Sequence, residues 1–131
     1  MTPPAWEMVD PFDLPDWLGT DEVTWSAECA LGRATVPGHL RSDAGTGEVA
    51  CDLLAADVAC PAPTVDEHIR TSIHQAWRDG QIALVTRGGR LTLAMPGVGQ
   101  DADLVLEAIG RLALAVGARP GRYGVRLRAG H

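Results

Sequence analysis

Two consecutive glycines, Gly88 and Gly89, separate two runs of alternating apolar residues, and this feature constrains the fold most. A two-residue loop of this kind suits a type I′ turn, in which both central residues require positive φ. The alternation predicts antiparallel strands over 81–87 and 90–95, joined as a β-hairpin. The face predicted to be buried carries Ile82, Leu84, Leu91 and Leu93. The opposite face, which is semi-polar and expected to meet solvent or a thin cover, carries Ala83, Val85, Thr92 and Ala94.

Amphipathic helices are predicted on both sides of this hairpin. A capping box at Thr64 and Glu67 begins the first helix, which ends before Gly80. Asp101 is a suitable N-cap for the second helix, and Gly117 follows its C-terminus. Apolar residues cover roughly 200° of the second helix, which is more than one sheet face can bury. We therefore expect this helix to lie between two layers or in a subunit interface.

Strands with less regular alternation are predicted over 23–41 and 48–59, and a regularly alternating strand is predicted over 122–128. The order of elements is then strands, helix, hairpin, helix and strand. This order predicts an α+β fold with a mainly antiparallel sheet and two helices packed on it. A chain of 131 residues suits one domain. We predict a single domain over 23–131, preceded by an extended Pro/Trp-rich N-terminal arm over 1–22.

The arm combines acidic residues with large apolar ones, a composition typical of peptides that dock in a partner's groove. Docking on the chain's own second helix or sheet is the alternative interpretation. In the second helix, Leu114 lies within the polar stripe formed by Asp103 and Glu107, so even this edge carries a large apolar group. We therefore predict either a homodimer or an arm wrapped over the second helix. The predicted partner-binding residues are Phe12, Trp17, Leu18 and Leu114.

Charge is distributed unevenly along the chain, whose net charge is −6. Residues 1–86 have a balance of −10, and residues 87–131 have a balance of +4. One interpretation is a polarised surface on which arginines bind an anionic partner. The other is that the acidic part folds against the basic part and neutralises it. The candidate anion-binding residues are Arg87, Arg90, Arg122 and Arg126. A negative net charge disfavours nucleic acid as a partner.

Several kinds of chemistry are excluded by what the chain lacks. It has no lysine, so neither a Schiff base nor a Walker-type phosphate site is available. The three cysteines form no CxxC pattern and the four histidines have no metal-ligand spacing, so we predict no metal site. No recognisable catalytic constellation is present, and we predict neither a catalytic residue nor a cofactor. The longest apolar stretch, 104–116, is too short for a bilayer span, and no secretory signal is visible. We expect a cytoplasmic protein without a membrane partner.

Three segments of the chain resemble a small conserved protein family of high-GC Gram-positive bacteria. They are Asp10 to Leu18, with the letters DPFDLPDWL; His74 to Gln81, with HQAWRDGQ; and Arg90 to Pro96, with RLTLAMP, followed by Asp101 and Asp103. The resemblance spans most of the chain. It implies no activity and transfers no catalytic residue.

Two classes of function are compatible with these features. The first is a non-enzymatic protein-interaction or adaptor domain that self-associates. The second is a small enzyme or ligand-binding protein with a pocket between sheet and helix. A flat apolar face would favour the first class, whereas a deep pocket with converging Cys, His or carboxylate side chains would favour the second.

Overall fold

A computed structural model describes residues 6–32, 34–56, 67–97 and 101–127. In these ranges the chain forms one α+β unit of eight strands, three α-helices and two 3₁₀ turns. The strands are β1 Glu7–Met8, β2 Val23–Ala27, β3 Thr35–Val36, β4 Gly38–Ser42, β5 Glu48–Ala55, β6 Ala83–Arg87, β7 Arg90–Met95 and β8 Tyr123–Arg126. The helices are α1 Trp17–Thr20, α2 Glu67–Arg78 and α3 Ala102–Ala115, and the 3₁₀ turns are Pro11–Asp13 and Pro120–Arg122.

The strands form one mixed sheet in the order β1-β6-β7-β5-β4-β2-β8, with β3 paired to β5 outside this path. The pairs β5–β7 and β2–β8 are parallel, and the other pairs are antiparallel. Five of the seven pairs between the described strands are antiparallel, as expected, and the two parallel pairs make the sheet mixed. The parallel pair β5–β7 is possible because α2 and β6 lie between the two strands in the chain. They return the chain to the starting end of the sheet, so that β7 runs in the same direction as β5. The expected order of elements also lacked β1, the first 3₁₀ turn and α1.

Strands β3 and β4 act as one interrupted strand along β5. Thr35 pairs with Leu54 and His39 pairs with Ala50, so the register is the same on both sides of the interruption. The interruption lies at Pro37, which has no N–H to donate to a neighbouring strand. The next backbone N–H, that of Gly38, donates instead to the Asp52 carboxylate at 3.2 Å.

The hairpin has the predicted register. Leu84 pairs with Leu93, and the glycines of the turn have φ of 61° and 79°. The predicted core side chains are buried, from Leu93 at 0% exposure to Ile82 at 9%. Of the two alternatives for the opposite face, a cover and not solvent is found, and Val85 is fully buried there. Helix α2 packs over that face and covers it with Ile69 and Ile73.

The predicted helix ends are confirmed where the structure describes them. The Asp101 side chain accepts a hydrogen bond from the Leu104 N–H at 2.8 Å, and Gly117 has φ of 81° beyond α3. Gly80 has φ of 79° beyond α2. The capping residue Thr64 lies outside the described residues. None of the helices in the described ranges has the length and apolar character that crossing a bilayer requires.

Helices α2 and α3 cover opposite faces of the sheet. Helix α3 packs with the face that includes Leu53, Leu84 and Leu93, whereas α2 packs with the face that includes Leu54 and Val85. The sheet therefore has an apolar core on each side. The predicted sandwiching of α3 between two layers is not found in the described residues, because Leu106 and Leu114 are 56% and 62% exposed.

The N-terminal segment is only partly extended. After β1 pairs with β6, the chain forms the 3₁₀ turn and then α1. Leu18 is fully buried, and a Cβ on Gly19 would lie 2.6 Å from the Val116 carbonyl oxygen. Helix α1 therefore contacts the C-terminus of α3. The first five residues of the predicted arm lie outside the described ranges.

Candidate protein-interaction surface

The first 3₁₀ turn presents the Phe12 ring to solvent, with 95% of the residue exposed. Asp10 caps this turn, because its side chain accepts a 3.0 Å hydrogen bond from the Phe12 N–H. The backbone N–H groups of Asp13 and Leu14 donate to the carbonyls of Asp10 and Pro11. Pro11 at the start of the turn restricts φ. The ring is therefore carried by a turn whose backbone is held by several local contacts.

The chain is also attached to the domain on both sides of this turn. Before it, the Val9 N–H donates to the Leu84 carbonyl at 2.8 Å. After it, Leu14 packs against the main core and Leu18 lies within that core. The Tyr123 hydroxyl donates to the Leu18 carbonyl. These contacts fix the position of Phe12 relative to the sheet and α3.

Phe12 and Leu114 lie near two surface cavities that share Pro11. Leu114, on α3, is 62% exposed. The first cavity, about 400 Å³, is lined by Pro11, Gly80, Gln81, Ile82, Arg111, Leu114 and Ala115. The second, also about 400 Å³, is lined by Pro11, Phe12, Leu14, Pro15, Asp16, Gly19, Thr20 and Val116. We call Phe12, Leu114 and these two cavities the arm surface.

Arg111 forms one wall of the first cavity. Its guanidinium lies 3.6 Å from the centre of the Trp77 ring and donates to the carbonyls of Trp77 and Gln81, each at 2.8 Å. It also forms an ion pair with Glu107 at 3.4 Å. Arg111 is thus a second donor to the Trp77 carbonyl at the end of α2, which also accepts from the Gly80 N–H at 3.1 Å. The cavity wall is thus held in place, and the positive charge of Arg111 is paired with Glu107.

The structure separates the four predicted partner-binding residues into two groups. Phe12 and Leu114 are exposed and line cavities that meet at Pro11. Trp17 is half-buried, with its indole nitrogen 2.6 Å from where a Cβ on Gly47 would lie, and Leu18 is fully buried. In the arm, Trp17 and Leu18 therefore pack against the domain of the same chain, whereas Phe12 is exposed to solvent.

The four candidate anion-binding arginines do not converge. Arg87 lies 5.3 Å from the Trp6 ring centre, and Arg122 donates to the Thr20 carbonyl. Arg90 lies on β7 and Arg126 on β8. Three strands separate β7 from β8, which corresponds to roughly 19 Å across the sheet. The structure therefore does not form a single basic site from these residues.

Arg90 is already paired with acidic side chains of the first part of the chain. Its guanidinium donates to both oxygens of Asp52, at 2.9 and 2.7 Å, and forms an ion pair with Glu28 at 3.4 Å. The hydrogen bonds with Asp52 are the main reason why the pKa of Arg90 is raised. This arrangement supports the interpretation that the basic and acidic parts of the chain neutralise each other.

Arg126 lines a different cavity, over strands β2, β4 and β8. This cavity measures about 530 Å³ and also includes Thr24, Ser26, Arg41 and Asp43. Thr24 donates to Asp43 at 2.9 Å, and Arg41 pairs with Glu48 at 3.4 Å. The charges in this cavity are mixed, so it has no clear preference for an anion.

The cysteines and histidines form no chemical centre in the described part of the chain. Cys51 is fully buried, and burial raises the pKa of its thiol, which disfavours the reactive thiolate. Cys29 is half-buried. Across the described ranges, no group of three or more His, Cys, Asp or Glu residues could hold a metal ion. Cys60 lies outside those ranges.

Comparisons with protein-family models, curated proteins and solved structures find no match. The resemblance to a bacterial family stated above therefore stays a prediction. Function has to be inferred from the geometry of this chain.

Sequence reasoning did not find Pro11, Ile82 and Arg111 as parts of the arm surface. Arg111 gave only a local signal, its spacing of four residues from Glu107 on α3. Its contacts with Trp77 and Gln81 depend on how α3 crosses the end of α2. Such a contact between distant segments leaves no periodic pattern in a single sequence.

Proposed function

We propose that this chain is a protein-binding domain and that the arm surface is its main contact. The observation that carries the proposal is Phe12, an aromatic residue 95% exposed on a capped and anchored turn. Aromatic side chains that fill a partner's pocket contribute most of the binding energy of many interfaces. This proposal corresponds to the first of the two functional classes named above, a non-enzymatic protein-interaction domain.

The fixed backbone around Phe12 favours binding over an accidental exposure. A flexible loop would lose conformational freedom on binding, and that loss would oppose association. The turn at Pro11–Asp13 is already ordered by Asp10 and by the contacts of Val9 and Leu14. The conformational entropy of this turn is therefore already lost on folding, and its loss does not oppose binding.

The surroundings of Phe12 also distinguish it from a single exposed apolar residue, which is common on proteins. Leu114 is exposed close by, and the two cavities meet at Pro11. Exposed apolar groups beside concave surface are typical of interaction sites. The combination supports a contact of aromatic and aliphatic character with a polar rim.

Site-specific photo-crosslinking tests this function directly. Phe12 is replaced by the photoreactive analogue p-benzoylphenylalanine in the full chain, expressed in the source organism, and adducts are identified by mass spectrometry. We expect a discrete adduct from position 12. The matched control carries the same analogue at Leu106, which is exposed on α3 outside both cavities of the arm surface. Absence of an adduct at position 12, or equal adducts at both positions, would contradict the proposal.

Small-ligand binding is a second candidate, favoured by a cavity between α2 and the end of β7. This cavity measures about 480 Å³ and is lined by polar side chains of α2, including His74, Gln75 and Arg78, together with Pro96. Polar groups that converge on a concave site are typical of ligand pockets. A screen of metabolites by thermal shift, repeated with His74→Ala, tests it. A shift that the His74→Ala variant retains would contradict this site.

A further inference from the structure

The first cavity of the arm surface has a lining that restricts what can occupy it. Its apolar wall is formed by Pro11, Ile82, Leu114 and Ala115. Arg111 is the charged side chain among its lining residues. An apolar side chain with an acidic group beside it would therefore match both parts of the cavity. A volume of about 400 Å³ is sufficient for one aromatic ring.

The turn at Pro11–Asp13 carries this combination itself. Phe12 is almost fully exposed, and the next residue, Asp13, is exposed as well. Within the described residues Asp13 takes part in no ion pair. The chain thus presents an aromatic ring and an exposed carboxylate next to a cavity with an arginine.

We infer that the occupant of this cavity is Phe12 of a second copy of the chain, in a symmetric dimer. This inference rests on the proposed function and names its partner. Pro11 lines both the cavity and the depression beside Phe12, so the projecting ring and the receiving cavity are neighbours on one surface. In a two-fold dimer the same patch serves both copies, and each ring enters the other copy's cavity.

The charges of the two copies are complementary in this arrangement. Asp13 beside the entering ring approaches Arg111 of the other copy, where it shares the guanidinium with the exposed Glu107, and the same contact occurs a second time through the two-fold axis. The overall charge of −6 per chain opposes association, so these local contacts have to outweigh it. Each copy contributes to this contact one ring, one cavity and one charged pair. We therefore expect a reversible dimer whose fraction rises with concentration.

Sedimentation velocity of the full chain across a concentration series tests the dimer. We expect wild-type protein to move from the 13.8 kDa chain mass toward twice that mass. Phe12→Ala removes the projecting ring, and Leu114→Glu places a repelling charge in the cavity wall. Each is expected to weaken association about 30-fold. The matched control is Leu106→Glu, which changes a similarly exposed leucine of α3 outside the cavity and leaves association unchanged.

A mixture of the two defective variants tests the reciprocal contact. Phe12→Ala keeps an intact cavity, and Leu114→Glu keeps an intact ring, so the mixed dimer retains one complete contact. We expect the mixture to associate more tightly than either variant alone and more weakly than wild type. Failure of the mixture to associate more than its components would overturn the arrangement. Wild-type protein that stays monomeric throughout the concentration series would overturn the dimer.

The crosslinking experiment separates this inference from the proposed function. An adduct of two copies of this chain from position 12 supports both. An adduct with a different protein, combined with monomeric wild-type chain, overturns the dimer and leaves the proposed protein-binding function in place. No adduct from position 12 overturns both.

Discussion

The Trp25 indole nitrogen donates a 2.8 Å hydrogen bond to the Cys51 carbonyl, and both residues are fully buried. The bond lies at the interruption between β3 and β4. The register that pairs His39 with Ala50 places Gly38 opposite Cys51. The indole thus supplies a donor to a buried carbonyl beside the point where Pro37 interrupts the strand.

We expect Gly38→Ala to lower the free energy of unfolding by about 3 kcal/mol. A Cβ at this position would lie 2.5 Å from the Trp25 ring, which cannot move away without losing its bond to Cys51. Urea unfolding followed by tryptophan fluorescence measures the change. The control is Gly121→Ala, because a Cβ placed there would have open space around it to 4 Å and the φ of Gly121 is not positive. A loss of less than about 1 kcal/mol for Gly38→Ala would show that the indole can rearrange.

Arg111→Lys should destabilise the protein by about 2 kcal/mol. A lysine keeps the charge but cannot stack on the Trp77 ring while donating to both the Trp77 and Gln81 carbonyls. Thermal unfolding of the variant, compared with Arg78→Lys on the exposed face of α2, measures the effect. Equal unfolding temperatures for the two variants would mean that the contacts of Arg111 contribute little.

Gly110→Ala should raise the free energy of unfolding by about 0.5–1 kcal/mol. Gly110 lies inside α3, its φ is not positive, and a Cβ at this position would meet no neighbouring atom within 4 Å. Alanine restricts the unfolded chain and favours the helix without a steric conflict. Urea unfolding provides the measurement. A decrease in stability would indicate that a close neighbour approaches this position.

Local features of the chain were predictable from the sequence. The hairpin register follows from the alternation around Gly88 and Gly89, since a two-residue loop leaves one way to align the strands. The cap at Asp101 and the glycine at 117 likewise depend on neighbouring residues. Such signals act over a few residues, so a single sequence contains them.

Pairing between distant segments was not predictable in the same way. The parallel pair β5–β7 joins Leu53 to Leu93, forty residues apart, and nothing in either strand specifies that partner. The cover on Val85 depends on α2 crossing that face of the sheet. In the candidate site, composition indicated Phe12, but only the fold shows that Leu18 is buried and that Pro11 joins the two cavities.

The stability of the protein should fall as the pH rises above about 8.5, the pKa of an unperturbed thiol. Burial raises the pKa of Cys51, so the folded state keeps its proton where the unfolded chain loses it. The contribution of Cys51 to the free energy of unfolding is fully present below the pKa of the thiol in the unfolded chain. Above that pKa it falls by about 1.4 kcal/mol per pH unit. Tyr123, whose pKa burial also raises, adds to the loss at higher pH.

Urea unfolding between pH 7 and 10.5 tests the contribution of Cys51. We expect Cys51→Ala to lower stability at pH 7, because it removes a buried side chain, but to flatten the fall above pH 8.5. Cys29→Ala, at a half-buried site, is the control and should keep the wild-type slope. Identical slopes for Cys51→Ala and wild type would contradict the proposed cause.

The N-terminal segment should divide into residues that stabilise the fold and a residue that does not. Leu18→Ala is expected to lower the free energy of unfolding by about 3 kcal/mol, because Leu18 is fully buried against the main core. Phe12→Ala is expected to change it by less than about 0.5 kcal/mol, because the ring is 95% exposed. Both values are measured by urea unfolding at a concentration low enough for the chain to be monomeric. If Phe12→Ala is as destabilising as Leu18→Ala under those conditions, the ring packs on its own domain and is not available to a partner.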